Sequence, residues 1–553
     1  MKIKITWRLI PAVILAALLA GCKPQSPLSQ IFSPVVSALQ PVPTQDLTIL
    51  TPPVSLAPAD TLPVLPPDEQ DTFRIAFAEP VDNFDPLFTT TAENILPYLL
   101  ETLTRLSPWG ELLPMLATDW EVSDDGLVYS FALQQDVFFS DGTPFNAQAV
   151  KFNLERFTNL EPPMVSRSAI ENINEIKIID DHRLELHLNA PANDLLMALS
   201  DIHLGMLSPG SIPVNSGDYQ NLGLQAPVGT GPYLLAGAPN QEQIVLHRRM
   251  DYWGFSPFMD IIQIQIVPEA GRRGAMLLNG EIDLTLELPP ADLEALAAQP
   301  EMVVNRGAPF RQVFVGINTT RPNLDNPQVR QALLYAIDQQ AIIDNVLAGS
   351  AQPSTSPVPE GYLGSCPASQ PYSQDIAESF ARLNDAGVPQ DRELKLILPA
   401  GRIPLGEQVA EAVAESLRAV EFPVTVEALD WDTYLAALSA PSEENMVDLY
   451  LFSWPGNIPH ANYTLQLLQT GNPLNASHYS NPQVDEWLRS ARTFRDEGDA
   501  IDLYCNISQV IWEEAPWIFL YQQDDPVVYA ANFANIEVLP GQRFWAIYAE
   551  PIQ

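Results

Sequence analysis

The sequence predicts an α/β protein of two or three domains, on three observations. At 553 residues the chain is too long for a single compact core. Its composition, 46% hydrophobic and 17% charged, is that of a globular chain and neither a disordered nor a multi-span membrane one. From Thr72 onward, short alternating patterns interleave with helical ones. With 68 acidic residues against 28 basic ones the net charge is −40, which argues against nucleic acid: nothing here would neutralise phosphates and release counterions. Cationic substrates are compatible with that charge, and so is a solvated acidic surface that keeps the chain soluble.

The chain opens MKIKITWRLIPAVILAALLAGC. Lys2, Lys4 and Arg8, the apolar run Leu9 to Ala20 and the small residues after it are the parts of a secretory signal. The run is shorter than the about 20 apolar residues a spanning helix needs. Leu18-Leu19-Ala20-Gly21-Cys22 resembles the bacterial lipobox, in which the cysteine is acylated and becomes the mature N-terminus. Residues 1–21 are therefore expected to be a lipoprotein signal peptide and Cys22 the lipidation site. An ordinary signal with an incidental cysteine is the alternative. Residues 22–68 are rich in proline, serine and threonine without helical or strand period, and are expected to form an extended tether. About 45 residues at ~3.1 Å each would reach roughly 140 Å. The expected location is the cell envelope outside the cytoplasm, anchored by lipid in the periplasm or on the outer face of the cytoplasmic membrane. Cys366 and Cys505 remain there as a possible disulfide.

The elements follow in order. FRIAFAE alternates as a strand, and YSFALQQDVFFSDG reads as a strand ending at the Asp141-Gly142 turn. NAQAVKFNLERF is a helix capped by Asn146. IKIIDDHRLELHLNA is two strands joined at Asp180-Asp181. DIIQIQIVPEA is a strand, and GRRGAMLLNGEIDLTLEL a helix, a stop at Gly280 and a strand. NPQVRQALLYAIDQQAIIDNVLAGS is expected as one helix, with Asn326 as cap, Pro327 in the first turn and Gly349 at the end.

These residues carry a resemblance. NFDPLF, the stretch LLPMLATDWEVSDDGLVYSFALQQDVFFSDGTPFNAQAVKFNLER, then VGTGPYLL, HRRMDYWGFSPFMDIIQIQIVPE, NGEIDL and NPQVRQALLYAID resemble, in that order, one bacterial family. It is family 5 of the extracellular solute-binding proteins, which serve peptide and nickel ATP-binding-cassette importers. The likeness runs from about residue 72 to about 525. It implies a two-lobed periplasmic-binding-protein-like fold with a subdomain inserted in the first lobe. Carried over, lobe one spans 69–320 with the insertion at about 93–215, lobe two spans 321–509, and 510–553 return to lobe one. The chain would cross between lobes near FVGINTT and near IWEEAPWIFLY. The implied partners are a small solute, the importer's permease subunits and, through the lipid, a membrane; the implied state is a monomer.

An enzyme needs a convergent nucleophile, acid–base pair or metal, and the sequence contains no HExxH, no GxSxG and no phosphate loop ending in GK[ST]. No catalytic residue, metal set or cofactor is expected. VGTGPYLL leads into a strand and reads as structural.

The segment FSWPGNIPHANY is the leading candidate for the site. In peptide-binding relatives the corresponding segment holds two aspartates, the first receiving the ligand's α-amine. Here Trp454 and Pro459 keep their places while Asn457 and His460 stand where the acids would be. An ammonium buried without a carboxylate costs several kcal/mol. That pattern points to a neutral polar solute stacked on Trp454 and hydrogen-bonded by Asn457, with His460 donating or coordinating. The alternative is a turn-rich loop whose tryptophan fills a core gap. Arg402, in a proline-bearing loop between a strand and a long helix, fits the place where the resemblance puts a carboxylate-binding arginine; pairing with surface acids is its alternative. Phe310 and Arg311, just before a predicted crossing, are further candidates for the cleft lining. A peptide-like solute is the family default, an oligosaccharide or other neutral solute the rival, and a metal chelate the third reading.

Overall fold

The computed structural model describes residues 71–552 except 161–166, 213, 216–217, 220, 238–241, 388–391, 495–496 and 542. The expected signal, lipobox and tether lie outside the described residues.

The strand Thr72–Phe77 buries Phe73, Ile75 and Ala76 and so sits inside a sheet, not on its edge. It runs parallel to Ile261–Ile266 on one side and to Leu284–Leu286 on the other, near the middle of a seven-stranded sheet. Val527–Ala530 and Met302–Asn305 close that sheet at one end, pairing antiparallel. A second sheet of six strands has Arg311–Ile317 within it, all seven of whose residues are buried. That strand pairs antiparallel with Leu449–Trp454 and with Trp517–Gln523. Phe314 stacks on Trp517 with ring centroids 4.0 Å apart. A four-stranded sheet, Ala117–Val122, Val128–Leu133, Ile173–Asp180 and Arg183–Leu188, carries its own core, in which Val150, Leu154 and Phe157 of the helix Ala147–Leu160 meet Phe131 and Leu186.

The sheets correct two expectations about the lobes. Arg311–Ile317 and Trp517–Gln523 lie wholly in the second sheet and bury residues in its core, so neither FVGINTT nor IWEEAPWIFLY is a crossing. The chain passes between sheets at residues 306–310 and 524–526, which moves the expected boundaries at 320 and 510 accordingly. Two ion pairs tie these crossings together, Arg306–Asp524 at 3.4 Å and Arg311–Asp525 at 2.7 Å. The helix expected over 326–349 is also two helices, Pro327–Ala336 and Gln339–Asn345. Ile337 is extended, and the Asp338 carboxylate accepts from the Ala341 N–H and caps a new helix, a local bond that competes with continuing the first.

Gly229 and Gly231 of VGTGPYLL have a packing reason: a Cβ on either would lie within 2.1 Å and 2.7 Å, respectively, of the Leu99 carbonyl oxygen. Cys366 and Cys505 are bonded, with Cα atoms 5.2 Å apart. Just before Cys366, Leu363 gives its N–H to Pro459 and takes one from Ala461, so the bridge also braces the loop that follows Trp454.

Candidate functional site

Between the two large sheets lies a cavity of about 350 Å³. From the first lobe come Phe77, Glu79, Thr90, Glu93 and Glu287; from the second come Arg311, Arg402, Trp431, Trp454 and Asn457. Its charge is split by lobe: carboxylates face it from one side and guanidinium groups from the other.

Trp454 ends the strand Leu449–Trp454, where it pairs with Gln312, and is 8% exposed. Its indole N–H has no acceptor among the described residues. Pro455 ends the ladder, and Gly456 then turns the chain at φ +73°. Only glycine fits there, since a Cβ would lie 2.0 Å from the Tyr362 hydroxyl oxygen and 2.5 Å from the Phe310 carbonyl oxygen. The turn delivers Asn457 to the seam between lobes. Its Nδ2 faces Glu93 Oε2 at 3.4 Å, its carbonyl accepts from Arg543 Nη2 at 2.6 Å, and Gly541 packs against its side chain.

Arg402 is exposed, and its guanidinium carbon lies 4.6 Å above the Trp431 ring, which stacks on buried Tyr434. A cation held over an indole keeps its N–H edge available, and Arg402 makes no ion pair among the described residues. Arg311 is already engaged: Nε donates to Asp525 Oδ1 at 2.7 Å and Nη1 to Ser453 Oγ at 2.8 Å. It contributes to the cleft wall and holds the crossing at once.

Two expected lining residues lie elsewhere. Phe310, just before the strand Arg311–Ile317, is buried in the second lobe's core and packs edge-on against Tyr362 with centroids 5.3 Å apart. His460 is fully buried; its Nδ1 accepts from the Asn462 N–H at 3.1 Å and caps the helix Ala461–Leu465. Burial pushes its pKa down to about 4, so the ring is neutral at pH 7 as its acceptor role requires.

Sequence reasoning missed Glu93. It lies in TTTAENILPYLL, a stretch without a motif, and was one carboxylate among 68 acidic residues. Only the folded chain brings it to Asn457. Behind it stands His203, whose Nδ1 is 2.7 Å from Asp201 Oδ1 and whose Nε2 is 3.7 Å from Glu93 Oε1. Burial opposes the cation there, but Asp201 and Glu93 outweigh it and lift His203 to about 9.

Comparison with known proteins decides the family. Residues 111–475 match the family described as bacterial extracellular solute-binding proteins, family 5. The chain belongs to that family. Among curated relatives of this family 5 member, the glutathione-binding protein GsiB of Salmonella typhi is 29% identical over 437 residues, 78% of this chain and 84% of that one. Two solved structures share the fold. The periplasmic binding protein DppA of Helicobacter pylori, in complex with the peptide STSA, superposes with a TM-score of 0.75 at 24% identity over 88% of this chain and 99% of that one. NikA of Brucella suis, in complex with Fe(III)-EDTA, gives 0.77 at 21% over 86% and 99%. The family binds solutes and does no chemistry on them, so the cleft is a binding site of a non-enzyme. Among the described residues no helix is long and apolar enough to cross a membrane.

Proposed function

We infer that this family 5 member is the lipid-anchored capture component of an ATP-binding-cassette importer and that it closes on a peptide-like solute. The observation that carries this reading is the charge division of the cleft. A solute with a cationic and an anionic end makes favourable contacts with both lobes only when they are together, and such differential contact is what shifts a hinged protein to its closed form. The solute's carboxylate meets the Arg402 fork, and Trp454 walls its body. Likeness to a glutathione-binding protein supports the peptide-like class. The closed monomer would then dock on the permease subunits. Asn457 and the Trp454 face favour a second reading, an oligosaccharide or other neutral solute.

Calorimetric titration of the purified body with di- and tripeptides and with neutral oligosaccharides separates the two readings. Peptide binding without sugar binding is expected, and the reverse overturns the reading. Trp454→Ala is expected to weaken the bound solute by about 1–3 kcal/mol; unchanged affinity would make the ring packing only. Anchoring rests on the lipobox: Cys22→Ala is expected to move the protein into the soluble fraction, and retention on carbonate-washed membranes would contradict it.

A further inference from the structure

The cleft has a second chamber. A cavity of about 270 Å³ lies on the other side of Trp454, Asn457 and Glu93, all of which line both spaces. Its remaining wall is largely apolar, with Leu87, Phe88 and Tyr463, and also carries the Asp201–His203 pair. Glu93 therefore stands at the waist where the chambers meet.

We propose that Glu93, presented from lobe one, receives the solute's ammonium group at this waist and that the apolar chamber takes the side chain next to that ammonium. The proposal rests on the peptide-like reading above and adds the residue that sets specificity within it.

Four observations support it. The lobe-two position where an acid would be expected holds Asn457, whose Nδ2 faces Glu93 at 3.4 Å, so a carboxylate is present at that point but comes from the opposite lobe. A second acid at 457 would set two carboxylates face to face, whereas an amide donor is compatible with Glu93. Glu93 is only 25% exposed, and His203, backed by Asp201, braces its Oε1 side and leaves Oε2 toward Asn457 and the cleft. Beside it Trp454, more than nine-tenths buried, lacks an acceptor for its indole N–H, an open valence at the wall of both chambers. With Arg402 across the first chamber, the two ends of a zwitterion land on different lobes. Removing the amine's charge should then weaken closure itself.

The test is the ratio of affinities for a dipeptide with an apolar N-terminal residue and for its N-acetylated form, measured on the wild type, Glu93→Gln and Glu93→Asp. The wild type is expected to favour the free amine, Glu93→Gln to lower that ratio roughly 10- to 100-fold, and Glu93→Asp to retain most of it. Should Glu93→Gln not fold, Glu93→Ala takes its place, with the same fall in the ratio expected and a wild-type ratio overturning the assignment. A Glu93→Gln protein that binds peptides with the wild-type ratio overturns the role of Glu93 and leaves the peptide-like reading standing. A wild type that binds neither form overturns both.

Discussion

Asp525→Ala is expected to lower the unfolding free energy by about 3–5 kcal/mol, read as a reduced urea midpoint. Arg311 and Asp525 are each less than a tenth exposed, so removing the acid strands a guanidinium inside the crossing between lobes. Ser453 Oγ alone does not neutralise it. The variant should also bind solute more weakly, because the same arginine lines the cleft. The exposed pair Arg489–Glu486 supplies the contrast: Glu486→Ala should cost about 0–1 kcal/mol. The double change Arg311→Met with Asp525→Leu should recover much of the stability without the binding, since it removes both buried charges. Equal costs at Asp525 and Glu486 would mean that the pair at the crossing is not a structural tie.

Gly456→Ala is expected to cost about 2–5 kcal/mol, from the left-handed backbone and the crowding together. The residue stands at φ +73° with a Cβ site 2.0 Å from the Tyr362 hydroxyl oxygen. Relief would displace Tyr362, break its hydrogen bond to the Phe310 carbonyl and move Trp454 and Asn457 on either side of the turn. Solute affinity should fall with stability. Gly471 has a similar φ of +77° but open space around its Cβ site, so Gly471→Ala isolates the backbone part at about 1–2 kcal/mol. Thermal unfolding of both variants decides the point, and equal losses would show that the tight packing beneath Trp454 is not what holds the loop.

Much of this architecture is legible in the chain because its signals are local. Alternation in FRIAF and IIQIQI marks the two parallel strands at the middle of the first sheet, and Asn146 and Asn326 cap the helices they precede. The break at Ile337-Asp338 was hidden by a continuous helical pattern, since a capping aspartate looks the same as a surface one until its N–H partner is known. The lobe boundaries were displaced for a similar reason. Arg311–Ile317 and Trp517–Gln523 are apolar on both faces, which marks buried strands but not the sheet they join.

Trp454 and Arg402, both expected to line the cleft, do border the cavity, and side chains of those types placed after a strand have a clear physical use. His460 misled because its ring is a helix cap, a role usually filled by smaller polar residues. Glu93 was unreadable because its meaning is non-local: 364 residues separate it from Asn457, and the absence of acid in FSWPGNIPHANY makes sense only once the acid across the cleft is seen.

The most direct measurement is native mass spectrometry of the body from residue 69 to 553, purified without denaturation, with identification of whatever solute is ejected. A peptide or peptide-like molecule carrying a free amine and a carboxylate is expected. An uncharged saccharide, or a metal chelate, as the ejected species would contradict the peptide-like reading.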